Sequence, residues 1–184
     1  MPDYKKLYSG RYLGLVERER WEYTTRVNAS AVAVLIPLTQ QGELLLVEQF
    51  RVPVNAVVTE LPAGLVGDLD DPEEPLVTAA YRELEEETGF RAEKLDILLT
   101  CPSSAGMSDE LVTFVLARQL HQTGPGGGDD SEEITVHRVP LGEVDEWLAG
   151  RLAMGHQVDP KIYTALYWLG RLNSGQQAIP TPSD

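Results

Sequence analysis

A single cysteine, Cys101, stands in this chain of 184 residues. It excludes an internal disulfide and offers no CxxC metal knuckle. Long apolar stretches are missing as well. No run of 18 apolar residues occurs, and the N-terminus lacks the basic-then-apolar order of a secretory signal. The expectation is a cytoplasmic protein without a membrane partner. Basic residues are scarce: 15 Lys and Arg stand against 29 Asp and Glu, for a net charge of −14. No Lys/Arg cluster offsets that balance, which argues against a broad nucleic-acid footprint. An anionic small-molecule substrate stays compatible, because bound metal inverts the local field. The three histidines, His121, His137 and His156, lack zinc-ligand spacing and read as structural or surface residues. Neither GxGxxG nor GxxxxGK[ST] occurs, so no dinucleotide fingerprint and no P-loop is on offer.

What is present suits one domain with a real core. Residues 30–38 read as a buried strand. Gln40-Gln41-Gly42 is a turn signal, and residues 43–49 read as the next strand, so the pair suggests a hairpin. A short strand is expected over 57–61, broken by Pro62-Ala63-Gly64, with a Gly/Asp/Pro-rich loop running to about Pro75. A helix is expected over 76–88, with Leu76, Ala80 and Leu84 inward and Gly89 as its C-cap. Strands follow near 94–101, 110–118 and 134–139, and helices over 141–149 and 161–172. The glycine-rich segment 124–130 reads as mobile, and the polar tail, 175–184, as frayed. Trp147 and Trp168 read as helix-packing residues. Strands on both sides of one helix, plus two late helices, give an α/β or α+β layered domain.

The most informative stretch is Arg82-Glu83-Leu84-Glu85-Glu86-Glu87-Thr88-Gly89-Phe90. Glu83, Glu86 and Glu87 stand at i, i+3 and i+4, which share one helix face. Like charges so placed repel by a few tenths of a kcal/mol per pair, so helix stability does not ask for them. A divalent cation would turn that repulsion into binding, and hard carboxylate oxygens suit Mg²⁺ or Mn²⁺. Arg82, four residues before Glu86, can hold one carboxylate in place. The competing account is a solvated acidic helix face.

The flanks shift the balance. Glu60-Leu61-Pro62-Ala63-Gly64 ends a strand in a glycine loop, where backbone can approach a ligand closely. With these residues the chain resembles the Nudix hydrolases, whose box reads G-x5-E-x7-R-E-U-x-E-E-x-G-U, U being a bulky apolar residue. The stretch from Arg82 to Phe90 fills the second half of that box, and Glu74 lies eight residues before Arg82 as the pattern asks. The first half departs. Taking Gly64 as the box glycine leaves four extra residues around 67–72, whereas Gly67 and Glu73 keep the G-x5-E spacing but misplace the glutamate. Gly64 with Glu74 is preferred, because Leu-Pro-Ala-Gly looks like the family's strand–loop junction. Trp21-Glu22-Tyr23, Glu48-Gln49-Phe50-Arg51 and Ser104-Ala105-Gly106-Met107-Ser108-Asp109-Glu110 further resemble the ADP-ribose and nucleoside diphosphate sugar pyrophosphatase branch. Ala105 stands where many of that branch have Pro, which leaves room for GDP-mannose or UDP-glucose.

The resemblance implies an α/β/α sandwich with a mixed β-sheet and an N-terminal β extension. It also implies a catalytic domain over 29–174 and a homodimer built through the segment 1–28. The implied activity is Mg²⁺-dependent hydrolysis of a nucleotide sugar, with Mn²⁺ as a substitute. A non-catalytic nucleotide-sugar sensor and a pool-cleansing hydrolase of nucleoside triphosphates are the alternatives. Glu83 and Glu87 would ligate metal with Glu86 as a further ligand, the Ala63 carbonyl would complete the site, and Arg82 would orient the carboxylates. Glu74 would support the loop–helix structure. A base is expected from the acidic loop Asp129-Asp130-Ser131-Glu132-Glu133, with Glu132 favoured, then Glu133, then Asp130, and with the glycines of 124–128 as a hinge. Arg51 would bind a substrate phosphate, Trp21 would stack on the base, and Glu60 and Glu110 would lie near substrate.

Overall fold

The computed structural model describes residues 4–68, 71–128 and 132–175. Asp129, Asp130, Ser131 and the tail beyond Gly175 lie outside the described residues. Three antiparallel strands come first: β1 (Lys5–Ser9), β2 (Leu13–Arg18) and β3 (Trp21–Arg26), ordered β1-β2-β3. The main body follows with β4 (Ala31–Pro37), β5 (Glu43–Arg51), β6 (Ala56–Glu60), β7 (Ala63–Val66), helix α1 (Leu76–Thr88), β8 (Phe90–Pro102) and β9 (Leu111–Gln122). It closes with β10 (Thr135–Pro140), α2 (Val144–Ala153), β11 (Gln157–Val158) and α3 (Lys161–Asn173). One sheet runs β7-β4-β9-β8 and another β10-β5-β6-β11. Both are mixed, since β4–β9 and β6–β11 are parallel while the other pairs are antiparallel.

β4 explains the layering. Val34 and Ile36 enter one core with Leu148 of α2 and Ile162, Ala165 and Trp168 of α3. Ala33 and Leu35, on the opposite face, enter a second core with Ala79, Ala80 and Leu84 of α1. A strand buried on both faces reads as a continuous apolar run, which is how residues 31–37 look. The result is the expected α/β/α sandwich with α1 on one side and α2 and α3 on the other. Among the described residues no helix is long and apolar enough to cross a membrane.

The hairpin expected between β4 and β5 does not form. The turn does: Gly42 takes a left-handed φ of 78°, and its N–H donates to the Thr39 carbonyl. Beyond one bridge between Leu38 and Leu44 the strands part into separate sheets. β4 already has β7 and β9 on its two edges, so it has no edge left for β5. Residues 63–66, expected as loop, form β7, which pairs with β4 from Val34↔Ala63 to Ala31↔Val66.

A buried charge ties the second sheet to α2. Glu48 of β5 is 7% exposed. It accepts from Thr59 Oγ1 at 2.8 Å and meets His137 Nε2 at 2.8 Å, His156 Nδ1 at 3.1 Å and Arg151 Nε at 3.4 Å. His137 and His156 are thus structural, and Trp147 stacks near His137 with Arg151 over its ring. Burial raises the Glu48 pKa, but the bonds from Thr59 and His156 and the charges of His137 and Arg151 outweigh it, leaving the group below its ordinary 4.5. A carboxylate with a depressed folded-state pKa stabilises above its unfolded value, and loses that contribution as pH falls through the folded one. Glu48→Gln is expected to cost about 2 kcal/mol at neutral pH. It should also flatten the acid limb of stability below about pH 5, as read by urea unfolding at several pH values; an unchanged acid limb would refute the assignment.

Candidate active site

The site is assembled from the end of β6, the start of β7 and the polar face of α1. Gly64 shows why the chain needs glycine there: an added Cβ would lie 1.7 Å from Cδ and 2.0 Å from Oε1 of Glu83. The missing side chain lets a helix carboxylate lie directly on the β7 backbone. One turn on, Glu87 reaches the same strand and accepts from the Ala63 N–H at 3.1 Å. The Ala63 N–H thus serves Glu87, while its carbonyl, expected as a metal ligand, belongs to the same strand start.

Arg82 organises the carboxylates. Its Nη1 donates to Glu83 at 2.7 Å and Glu86 at 3.3 Å, its Nε to Glu74 at 3.2 Å, and its Nη2 to the Leu65 carbonyl at 3.1 Å. Nη2 also approaches Asp68 and a second Glu74 oxygen. Glu74 in turn accepts from the Gly67 N–H at 3.1 Å, pinning the loop to the helix. The two candidate glycines thus do different work, Gly64 beneath Glu83 and Gly67 against Glu74.

Glu83 and Glu87 are 9% and 3% exposed. Burial pushes the Glu83 carboxyl up to about 7 against the pull of Arg82. Burial, and then the charges of Glu83 and Glu132, push Glu87 up to about 9. Among the described residues no three Asp, Glu, His or Cys side chains already stand in a metal-holding arrangement. The donor set nevertheless fits a hard divalent cation. Two buried carboxylates that repel each other, with a partly exposed Glu86 beside them, lack only positive charge.

A cavity of about 420 Å³ opens over this face, lined among others by Arg51, Glu60, Glu83, Glu86, Glu110 and Glu132. Arg51 Nε holds Glu60 at 2.7 Å and Arg26 Nε holds Glu110 at 2.6 Å. Burial raises the Glu60 carboxyl despite its bond to Arg51. Sequence reasoning missed Arg26, Asp68 and Lys161, all in the cavity wall. Arg26 and Lys161 lie outside the box and Asp68 in the extra residues within it, and no motif marks any of the three. Glu133 is exposed and does not line this cavity. Asp130 lies outside the described residues. Trp21 is not brought to the carboxylates: it is 61% exposed and lines a separate groove of about 430 Å³ with Tyr23, Ala105 and Ser108. That groove is where β3 docks on the loop after β8, through Thr24 N–H to Met107 O and Asp109 N–H to Thr24 O.

The segment 124–128 is docked, contrary to the expectation of a free hinge. Gly127 and Gly128 donate their N–H groups to the Glu87 and Glu86 carbonyls at 2.9 and 3.1 Å, closing the C-terminal end of α1. A Cβ on Gly126 would stand 2.4 Å from the Thr88 carbonyl carbon, and one on Gly89 would stand 2.3 Å from the Gly124 oxygen. Both glycines take left-handed φ, 68° and 73°. Only glycine permits this backbone-on-backbone contact, which ties the segment before Glu132 to the helix that carries Glu83 and Glu87.

The family model for the NUDIX domain matches residues 27–166, most of the chain. A methanol dehydrogenase activator of Bacillus methanolicus is 33% identical over 151 residues, covering 78% of this chain and 80% of that protein. An ADP-sugar pyrophosphatase of Mus musculus is 32% identical over 175 residues, covering 87% and 78%. An ADP-ribose pyrophosphatase of Bacillus subtilis is 46% identical over 90 residues, which is 49% of this chain and 46% of that protein. The crystal structure of an ADP compounds hydrolase matches the fold with a TM-score of 0.71 over 97% of this chain and 95% of that one, at 21% identity. With its acidic helix seated on Gly64 and matched by the family model, the chain belongs to the Nudix family.

Proposed function

We propose that this protein hydrolyses the pyrophosphate bond of a nucleoside diphosphate sugar, ADP-ribose or a relative such as GDP-mannose, to a nucleoside monophosphate and a sugar phosphate. The observation that carries the reading is the pair of buried carboxylates: Glu83 lines a cavity that also holds Arg51, and Glu87 lies one turn behind it on the Ala63 N–H. The pyrophosphatases of Mus musculus and Bacillus subtilis add support from their similarity. Glu83, Glu86 and Glu87 would hold Mg²⁺, which when bound neutralises phosphate charge and acidifies water. Arg82 keeps these carboxylates in register, and Arg51 offers guanidinium donors to a phosphate. Glu132, at the cavity wall and close enough for its charge to act on Glu87, accepts the proton as water adds to phosphorus and the bridging P–O bond breaks. Three crowded carboxylates have no use in a sensor that only binds, which disfavours that alternative. The segment 1–28 serves a homodimer, in which Trp21 would act on the partner's site.

Glu87→Gln tests the metal face. Gln mimics the neutral form that burial favours, so the fold should be retained while turnover of nucleotide sugars in Mg²⁺ falls by about 100-fold or more. Activity within a few-fold of wild type would sink the assignment.

Gly126→Ala tests the docked segment. The side chain must push Glu132 away from α1, so kcat should fall by about 10- to 100-fold with a smaller change in KM, and circular dichroism should show the fold intact. Unchanged kcat would show that Glu132 is not positioned through this contact.

A further inference from the structure

Lys161 opens α3 and lines the cavity from the side opposite α1. Its position is set by more than its own side chain. Asp159 Oδ1 accepts the Lys161 N–H at 2.7 Å, and Asp159 Oδ2 accepts from Lys161 Nζ at 2.5 Å. The Asp159 N–H donates to the Thr59 carbonyl at 3.0 Å, and β11 pairs in parallel with β6 through Val158↔Thr59. Thr59 directly precedes Glu60, the partner of Arg51. The start of α3 is therefore registered, by backbone bonds, to the strand that carries the Arg51–Glu60 pair. Lys161 and Asp159 lie close enough for both charges to act on the Glu60 carboxyl.

The cations of the cavity are not equivalent. Arg82 is spent on Glu74, Glu83, Glu86, Asp68 and the Leu65 carbonyl. Arg26 holds Glu110 across the mouth. Arg51 and Lys161 each hold a single carboxylate through one nitrogen. An ammonium has three donors and a guanidinium five, so both keep N–H groups to offer. Asp159 is largely buried and fixes the ammonium, whose own side chain stays 31% exposed. A substrate diphosphate brings two anionic groups into this space. The carboxylates of α1, with their cation, can serve only one wall.

We propose that Lys161 is a substrate-binding residue, which together with Arg51 takes the substrate phosphate lying away from the α1 carboxylates. The inference rests on the hydrolase reading and adds a phosphate contact from the start of α3. Asp159 is its positioning residue, holding the ammonium toward the cavity and away from the acidic helix.

The test is steady-state kinetics of the full chain in Mg²⁺ on the best nucleotide sugar, for Lys161→Ala and Lys161→Arg, beside calorimetric binding of AMP, also in Mg²⁺. Lys161→Ala should raise KM about tenfold with kcat within about threefold, and weaken AMP to a similar extent. Lys161→Arg should recover most of both, and thermal unfolding should be unchanged. The proposal is overturned if KM and AMP affinity stay within twofold of wild type in Lys161→Ala, or if Lys161→Arg is as impaired as the alanine variant. Should wild type turn over no nucleotide sugar, the hydrolase reading fails on its own. Calorimetry of AMP against the two variants then decides the role of Lys161 separately.

Discussion

One guanidinium holds the acidic face together. Arg82 reaches four carboxylates and a backbone carbonyl, and those acceptors come from three segments: strand β7, the loop after it and the helix α1 itself. Without it, Glu83 and Glu86 on the helix and Glu74 just before it would crowd together with no counter-charge. Its own pKa is driven further above the ordinary arginine value, with the bond to Glu74 and the charge of Glu83 overcoming the cost of burial. A group so committed cannot also serve a phosphate. The fold thus separates two tasks that both need positive charge. Arg82 positions the carboxylates, and a bound cation with the remaining basic side chains must meet the substrate.

The next constraint is close approach. Glu83 and Glu87 are buried because α1 sits directly on β7, and that contact needs Gly64 to have no side chain. The far end of the same helix is closed by a second contact of the same kind, between Gly89 and the segment 124–128. The helix is therefore fixed along its length and at its C-terminal end by glycine backbone as well as by side-chain packing. Its apolar face, Ala79, Ala80 and Leu84, drives it onto the sheet. Burial of two carboxylates opposes that drive. Elements with unfavourable charge are retained where function uses them, and here the opposing term is the one a divalent cation would relieve.

How much of this could be read in the chain depends on whether the signal is local. The helix over 76–88 and its Gly89 cap follow from periodicity and one left-handed residue, and the structure reproduces both. The strands at 31–37 and 43–51 follow from apolar runs, but their partners do not. A turn between them fits a hairpin equally well until β7 and β9 claim both edges of β4, a contest that only the whole sheet decides. β7 is masked by Pro62 and two small residues, because its reason for being extended is its pairing with β4. The glycines of 124–128 show the same limit. A run of glycines allows motion and allows close packing with equal ease, and the choice rests on the carbonyls at the end of α1. Lys161 and Arg26 carry no motif at all, and only tertiary registration brings them to the cavity.

Charge balance in that cavity bears on substrate class. Arg26, Arg51 and Lys161 are each already paired with a carboxylate, and Arg82 with several. Among the described residues, six acidic side chains line the wall against four basic ones, so the site without a cation repels anions. A sugar nucleotide carries two negative charges on its diphosphate and ends in an uncharged sugar. A nucleoside triphosphate brings about twice that charge into the same cavity, whose wall includes Glu60, Glu110 and Glu132. Repulsion between like charges in a partly buried site is costly. The same acidic wall that needs a cation to admit any phosphate therefore discriminates against the more highly charged nucleotide, and it does so through residues outside the family box.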